Sequence, residues 1–552
     1  MEGDTNGNAV QHPRARRQLN LDPNLSRALN DELSGVHASA TATSTATTSR
    51  SGFSTPAPPE DAPPSVQATS AARRELRRKQ RMFPTIDYKA RVSIFDPHSE
   101  YANFRGFFVL FWVGLAIMVI TAMLRNLKET GNILSFKQWP LFTQNIWELA
   151  ASDLLMCAST GLDLPLHGLY KDSRGWLKWR KGGVVLQSLF QAGWLALWIS
   201  WPFVRDWSWT AQVFWMLHTL AMFMKMHSYA FYNGHLSATL DRLKVLDLPI
   251  EPTTPMGGAF RYPSTYTSLH APNEKTSELH DANSHHSKDP PVLQLREDLA
   301  MELTSPLGNV TYPENLTVAN FFDYLLCPTL CYELEYPRTP TRSYMEIFYK
   351  TLAVFGCTFL MIVTSEEFIL PVLESSQLRL QHTSNWIDSA LIFAETVSAL
   401  LFPYTIMFLL VFLAVFEYIL GVFAEITRFA DRQFYSDWWN SLDWLEFSRE
   451  WNIPVHNFFR RHVYSASRGV KMSRPVATAV TFFVSAVGHE LVMGCITRKF
   501  RGYGFFFMMM QIPIVAVQRL PLVRSRTLLN NVLFWVCMIM GLSLLCALYV
   551  LV

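Results

Sequence analysis

One histidine of this chain lies where an ionisable side chain is costly, inside an apolar segment. His489 falls within Phe482-Phe-Val-Ser-Ala-Val-Gly-His-Glu-Leu-Val-Met493, and a polar group there needs a partner or a cavity. Burial penalises imidazolium, so we expect a neutral ring with one nitrogen free to accept a proton, as a general base requires. Ser485, one helical turn earlier, is placed to hydrogen-bond the ring or a substrate. A structural histidine bonded between helices is the alternative.

A polar and aromatic heptad, Phe434-Tyr-Ser-Asp-Trp-Trp-Asn440, lies between two other apolar segments. Asp437 and Asn440 are three residues apart and share one face if the heptad is helical. Trp438 and Trp439 offer rigid contact surfaces beside them. The amide of Asn440 can donate a hydrogen bond to a thioester carbonyl as negative charge develops. An aromatic belt at the membrane interface with a capping Asp437 fits the residue types equally well.

Other polar residues of the chain are weaker candidates for chemistry. The seven cysteines are odd in number and mostly lie in apolar segments, so we expect buried thiols and no disulfide framework. Cys327 and Cys331 have no second pair at zinc-ligand spacing, so no metal site is predicted. Glu366, Glu367 and Glu395 resemble the proton relay of a transporter, but no inverted repeat of broken helices accompanies them. Five further histidines are expected to be structural: His218, His227, His235, His456 and His462.

The composition predicts an all-α, polytopic membrane protein. Of the 552 residues, 49% are hydrophobic, 14% are aromatic and only 17% are charged, which is typical of chains with several membrane helices. The formal net charge of +3 and the lack of a nucleic-acid-binding signature argue against a nucleic-acid partner.

Apolar segments long enough to cross a bilayer predict about nine transmembrane helices. The basic cluster Arg73 to Arg81 precedes the first segment and predicts a cytosolic N-terminus. The predicted spans are Gly106 to Leu124, Trp147 to Leu166, Gly182 to Val204, Trp209 to Ala230, Thr351 to Leu373, Val397 to Leu420, Pro475 to Cys495, Tyr503 to Val517 and Leu528 to Leu551.

The remaining segments set the predicted domain organisation. Residues 1–100 are rich in Ser, Thr, Ala and Pro, which predicts a disordered cytosolic tail. Residues 101–552 form the transmembrane catalytic domain, and a polar cytosolic loop is expected within it at residues 237–316. Residues Gly421 to Arg474 are expected to form amphipathic helices at the cytosolic interface.

The heptad matches the FYxDWWN signature of the sterol and diacylglycerol acyltransferase branch of the membrane-bound O-acyltransferase family. His489 in Ser-Ala-Val-Gly-His-Glu resembles the intramembrane histidine of that family. The resemblance covers roughly Phe104 to Val552. The segments Met226 to Gly234, Leu334 to Pro340 and Trp451 to His456 look most like the fungal sterol acyltransferases.

The resemblance implies a nine-helix fold with a reaction chamber inside the membrane, reached by long-chain acyl-CoA from the cytosol and by a sterol from the bilayer. It implies that His489 is the general base and that Asn440 orients the thioester. No cofactor or metal is implied beyond acyl-CoA as co-substrate. An endoplasmic reticulum location and a homodimer or homotetramer are expected. The motif residues are expected to bind acyl-CoA, with Ser485 and Glu490 in support: Phe434, Tyr435, Asp437, Trp438 and Trp439.

Two alternatives stay open at this point. In the first, the acceptor is diacylglycerol and the product is triacylglycerol. One sequence does not identify the residues of the chamber wall that select the acceptor, so this alternative is not excluded. A lipid transporter or channel, with His489 and the acidic residues along its path, is the alternative of another class.

Overall fold

The computed structural model describes residues 83–96, 99, 105–134, 137–173, 175–247, 290–306 and 308–552. The chain divides into two units, Met1–Gln80 and Arg81–Val552, and every described residue belongs to the second. The predicted tail up to residue 82 and the loop centre at 248–289 lie outside the described residues. In the described part, β-structure is limited to three isolated bridges, so the predicted all-α fold is confirmed.

Nineteen α-helices occur in the described residues, joined by short π-helical and 3₁₀ turns. The π turns are Trp179–Gly183, Ser365–Ile369, Leu413–Ile419 and Phe459–Tyr464, and the 3₁₀ turns are Thr160–Leu162 and Trp438–Asn440. The helices are α1 (Arg105–Thr130), α2 (Trp139–Thr143), α3 (Ile146–Ser159), α4 (Asp163–Asp172), α5 (Val184–Val204), α6 (Trp209–Asp247), α7 (Pro290–Glu302), α8 (Val318–Leu326), α9 (Tyr344–Thr364), α10 (Leu370–Gln381), α11 (Trp386–Phe412), α12 (Leu420–Thr427), α13 (Trp444–Glu450), α14 (Ile453–Phe458), α15 (Ser465–Gly469), α16 (Arg474–Thr497), α17 (Tyr503–Gln518), α18 (Pro521–Arg524) and α19 (Thr527–Leu551).

Six helical stretches in the described residues are long and apolar enough to cross a membrane. They are Gly106–Thr130, Trp179–Val204, Tyr344–Gln381, Trp386–Thr427, Arg474–Thr497 and Thr527–Leu551, and Tyr503–Gln518 is a shorter apolar helix. The protein is therefore an integral membrane protein, as predicted. The count of nine crossings stays a prediction.

The two remaining predicted spans are helical but less apolar. The span predicted from Trp147 is divided into α3 and α4 by the 3₁₀ turn Thr160–Leu162. It also carries Glu148, Asp153 and Asp163. The span predicted from Trp209 is the first part of α6, which continues without a break to Asp247.

Two predicted boundaries need correction. The expected tail of residues 1–100 includes an ordered stretch, residues 83–96, that packs against distant parts of the chain. The expected loop 237–316 is helical at both ends, because α6 extends to Asp247 and α7 starts at Pro290. The α6 extension is stabilised by apolar side chains one helical turn apart, since Leu236 and Leu243 are buried and Leu240 packs against the same core.

Two short helices of the region 421–474, α13 and α14, begin at side-chain caps. Asp443 accepts a hydrogen bond from the backbone N–H of Glu446, and Asn452 accepts one from the N–H of Val455. Each cap satisfies a backbone donor that a helix start otherwise leaves unpaired.

Gly234 of α6 provides a test of the packing in this region. A Cβ atom at Gly234 would lie 2.0 Å from Cε2 of the buried Trp179 ring, so we expect Gly234→Ala to lower the free energy of unfolding by about 1 to 3 kcal/mol. The thermal midpoint of the purified protein in mild detergent measures this. Gly356→Ala in α9 is the control, because a Cβ there meets nothing within 4 Å. Equal midpoints for the two variants would contradict the prediction.

Candidate active site

His489 is held in one orientation by its own helix. Its Nδ1 lies 2.8 Å from the backbone carbonyl oxygen of Ser485, one turn earlier in α16. Because a carbonyl oxygen can only accept, Nδ1 must carry the proton and donate it, and this assigns the tautomer. In the neutral ring the lone pair is then on Nε2, which is the atom that can take a proton from a substrate.

The His489 side chain is exposed, so the expected burial of the ring is wrong. At about 100° per residue, the ring shares one side of α16 with Phe482 and Ala486, which are both buried. The lipid-facing side is marked by the exposed apolar residues Phe483 and Val487, which lie roughly opposite. The ring therefore lies on the side of α16 that carries buried residues, although its own side chain is exposed.

Glu490, the next residue, is committed to structural contacts. Its carboxylate accepts hydrogen bonds from the backbone N–H groups of Gly502 (2.7 Å) and Phe505 (3.2 Å) and from the Tyr549 hydroxyl (2.7 Å). It thereby satisfies donors at the start of α17 and ties α16 to α19. These contacts fix the position of α16, and this is how Glu490 can support the reaction.

The heptad is mostly a buried aromatic core. Phe434 and Tyr435 are buried, and Trp438 is 1% exposed. The Trp438 ring has five aromatic neighbours whose centroids lie 5.3 to 5.7 Å away, Phe408, Phe412, Trp439, Trp451 and Trp535. The enclosed Trp438 side chain is part of the packed core. Its contact with acyl-CoA stays a prediction. Asp437 and Trp439 are half-buried and Asn440 is exposed.

The last helix anchors the heptad through its backbone. The carbonyl oxygen of Trp439 accepts hydrogen bonds from Asn531 Nδ2 and Trp535 Nε1, both at 3.1 Å. The carbonyl of Ser441 accepts a second bond from Asn531. Because Tyr549 of the same helix binds Glu490, α19 connects the heptad to the neighbourhood of His489.

Asn440 itself is only loosely held. Its Nδ2 donates to Asp437 Oδ2 at 3.4 Å, and Asn440 lies in a 3₁₀ turn rather than the α-helix expected for the Asp437 spacing. Within the described part of the chain, no hydrogen bond joins Asn440 to His489. A substrate would have to lie between the two residues for both to act on it.

Asn452 is a second candidate donor that the sequence reasoning did not single out. Its Oδ1 accepts from Val455 N–H at 3.1 Å, which leaves the Nδ2 hydrogens free among the described contacts. The backbone on either side of Asn452 pairs with the heptad, through Ser436 N–H to Glu450 O (2.8 Å) and Ile453 N–H to Phe434 O (3.0 Å). The following π turn, Phe459–Tyr464, contacts α16. The signal in the sequence that could have identified Asn452 was an asparagine at a helix-capping position close to the motif.

Four of the five histidines expected to be structural have side-chain partners inside the protein. His218 bonds Asp153 at 2.6 Å and His235 bonds Glu302 at 3.1 Å. His227 donates to Gln191 Oε1 at 3.0 Å, and His462 accepts from or donates to Ser228 at 2.9 Å. Asp153, Cys157 and His218 bring three metal-ligating atoms within 4.8 Å of one another, but the direct Asp153–His218 hydrogen bond already satisfies two of them.

A helical integral membrane protein with an oriented, exposed histidine and an aromatic motif anchored on the last helix is the class that fold and site define. The family profile described as MBOAT, membrane-bound O-acyltransferase family, matches residues 194–551. The chain belongs to this family and is an acyltransferase.

Three relatives illustrate the similarity. The chain is 38% identical over 483 residues to the probable sterol O-acyltransferase 2 of Schizosaccharomyces pombe, covering 86% of this chain and 94% of the relative. It is 32% identical over 489 residues to sterol O-acyltransferase 2 of Candida albicans, covering 85% and 78%. The diacylglycerol O-acyltransferase 1 of Dictyostelium discoideum is 33% identical over 256 residues, covering 46% and 40%.

We expect His456, which lies in α14, to make the stability of the protein depend on pH. Burial, with the nearby charges of Arg449 and Arg460, lowers the pKa of His456 to about 4 from an ordinary value of 6.5. Below pH 6.5 the unfolded chain binds a proton that the folded chain does not, so stability falls as the pH drops from about 6.5 to about 4. We expect the thermal midpoint to be lower at pH 5 than at pH 7.5, and less so in His456→Gln. An identical pH dependence in the two proteins would exclude this role.

Proposed function

We propose that the protein transfers a fatty acyl group from acyl-CoA to the 3-hydroxyl of a sterol, giving a steryl ester and free CoA. The oriented and exposed side chain of His489, whose Nδ1 donates to the Ser485 carbonyl and whose Nε2 has no partner among the described contacts, is the observation that carries this proposal. Sterol as the acceptor is supported by the names of the relatives that cover most of the chain. The diacylglycerol acyltransferase relative covers less than half of it.

The His489 geometry suggests a single-step transfer. As the sterol oxygen attacks the thioester carbonyl, Nε2 takes the hydroxyl proton. The Nδ1–H bond to the Ser485 carbonyl then stabilises the imidazolium, because the acceptor oxygen faces the new positive charge. The C–O ester bond forms, the C–S bond breaks, and the proton returns to the CoA thiolate. No acyl-enzyme is needed, so both substrates bind together before the reaction.

An asparagine amide is proposed to stabilise the charge that develops on the thioester oxygen. Asn440 is the residue expected from the motif, and it is exposed. Asn452 is better oriented, because its oxygen is bound to Val455 and its amide nitrogen is free to donate. The remaining motif residues Phe434, Tyr435 and Trp438 hold the framework of this region.

The cellular setting follows the same proposal. Acyl-CoA enters from the cytosolic side, where Asp437 and Trp439 reach the surface, and the sterol arrives through the bilayer. We place the protein in the endoplasmic reticulum membrane with a cytosolic N-terminus, as a homo-oligomer of two or four chains.

The central test is acyl transfer by His489→Ala. The chain is expressed in cells that lack their own acyltransferases, and microsomes receive labelled oleoyl-CoA with ergosterol, cholesterol or diacylglycerol. We expect label in steryl ester for the wild type and a loss of at least about a hundredfold in His489→Ala, since general-base catalysis contributes that much. Gly488→Ala is the control, because a Cβ there meets nothing within 4 Å.

Each other outcome identifies what is wrong. If label appears only in triacylglycerol, His489 stays the proposed base but the acceptor is diacylglycerol and not a sterol. Ester formation that persists in His489→Ala would remove the histidine from the chemistry. No product with any acceptor would favour a transport function, which passive lipid movement across the same membranes would then measure.

Parallel variants of Asn440 and Asn452 decide which of the two asparagines stabilises the thioester oxygen. If Asn452 is the oxyanion donor, Asn452→Asp lowers kcat by about a hundredfold, because it keeps the Oδ1 cap but removes the amide hydrogens, while Asn440→Asp has a smaller effect. The opposite order would assign the role to Asn440. Thermal midpoints of both proteins check that the fold is intact.

A further inference from the structure

We infer that the segment before the first span, residues 83–96, is a positioning element that holds the heptad in place for acyl transfer through Arg91, Ser93 and Phe95. We call this segment the N-terminal strap. The inference rests on the proposed acyltransferase function and adds residues to its machinery. The strap crosses three different parts of the motif region, and each crossing is a specific contact.

The first crossing is a forked ion pair. Arg91 Nε and Nη2 donate to the two carboxylate oxygens of Asp431 at 2.8 and 2.7 Å, and Arg91 Nη1 donates to Gln433 at 2.9 Å. Asp431 is three residues before Phe434 and its side chain is 3% exposed. Removing one partner of such a pair leaves a buried charge without compensation, which is strongly unfavourable.

Backbone bonds reinforce this crossing. The N–H of Arg91 donates to the carbonyl of Ala430 (3.0 Å), and the N–H of Arg432 donates to the carbonyl of Arg91 (2.9 Å). The N–H of Lys89 adds a third bond to Asp431 at 3.1 Å. The strap and the start of the motif loop are therefore joined like two short strands.

The second crossing is a carboxylate shared by three parts of the chain. Glu417 Oε2 accepts hydrogen bonds from the Ser93 hydroxyl and, at 2.9 Å, from the hydroxyl of Tyr435, the second heptad residue. Glu417 lies in the π turn Leu413–Ile419 inside a membrane span, and its side chain is 11% exposed. Lys350 Nζ, 3.6 Å from its other oxygen, balances the charge.

The third crossing reaches the accessible end of the heptad. The Phe95 ring stacks on Trp439 with centroids 6.2 Å apart and an interplanar angle of 22°. Trp439 is bonded to α19 on its other side and precedes Asn440 directly. Phe95 thus limits where the exposed Asn440 can lie.

The far end of the strap is fixed independently. The N–H groups of Phe83 and Ile86 donate to the carboxylates of Glu302 and Glu333 at 3.1 and 2.8 Å. A change at Arg91 therefore loosens the strap at the heptad without releasing the whole segment, which makes single substitutions informative.

The test uses the full chain with Arg91→Ala and Tyr435→Phe. We expect each variant to lower kcat for steryl ester formation by about tenfold with the KM for sterol unchanged, because small displacements of a positioning group cost rate rather than binding. Hydrogen–deuterium exchange is the second readout. Amides of residues 430–441 should exchange faster in both variants, and amides of residues 486–496 should not change.

Lys89→Ala is the matched control on the strap. Its ammonium pairs only with Asp87 at 3.5 Å among the described ion pairs, its side chain is 68% exposed, and the variant keeps the backbone N–H. Wild-type kcat in Arg91→Ala and Tyr435→Phe would overturn the inference, as would slow turnover with unchanged exchange at 430–441. If the wild-type chain transfers no acyl group, the proposed function fails, and exchange alone still decides whether the strap orders the heptad.

Discussion

A polar group between membrane-spanning helices has no water to bind, so it must find its partners within the protein. Two adjacent residues of α16 meet this constraint in opposite ways. Glu490 uses its carboxylate fully, on two backbone N–H groups and the Tyr549 hydroxyl. His489 uses only Nδ1, on a carbonyl of its own helix. Because neighbouring side chains point about 100° apart, Glu490 can fix the helix while His489 keeps a free nitrogen.

The residues of the aromatic heptad differ in their environment from one end of the motif to the other. Phe434, Tyr435 and Trp438 are buried among rings and belong to the core. Edge-on contacts between such rings stabilise beyond their buried area, so this part is rigid. Only the last residues reach the surface, and they are bonded through the Trp439 carbonyl to α19. The motif therefore combines a packed core at Phe434, Tyr435 and Trp438 with an exposed end at Asn440.

How much the sequence could predict depended on how local each signal was. Long apolar runs predicted the membrane helices well, because one segment contains the whole signal. The burial of the heptad rings and the exposure of His489 depend on which helices become neighbours. The periodicity of a single segment does not show which helices these are. The strap was missed because Arg91 and Asp431 are 340 residues apart, and the segment 83–96 is too short to show a clear periodic pattern. The extension of α6 could have been predicted from the sequence, since Leu236, Leu240 and Leu243 have helical spacing.

The placement of the acidic residues favours chemistry over transport. A proton or lipid path needs groups that can change partners, yet Glu367 is bonded to Asn126 at 2.6 Å and Glu395 to Arg379 at 2.7 Å. Glu366 accepts the backbone N–H of Lys137, so these carboxylates fix helix ends rather than form a relay. His489 Nε2, in contrast, has no hydrogen-bond partner among the described residues. One fixed base with an unoccupied lone pair suits a proton transfer coupled to bond formation at a single place, and it gives no means of passing a proton onward.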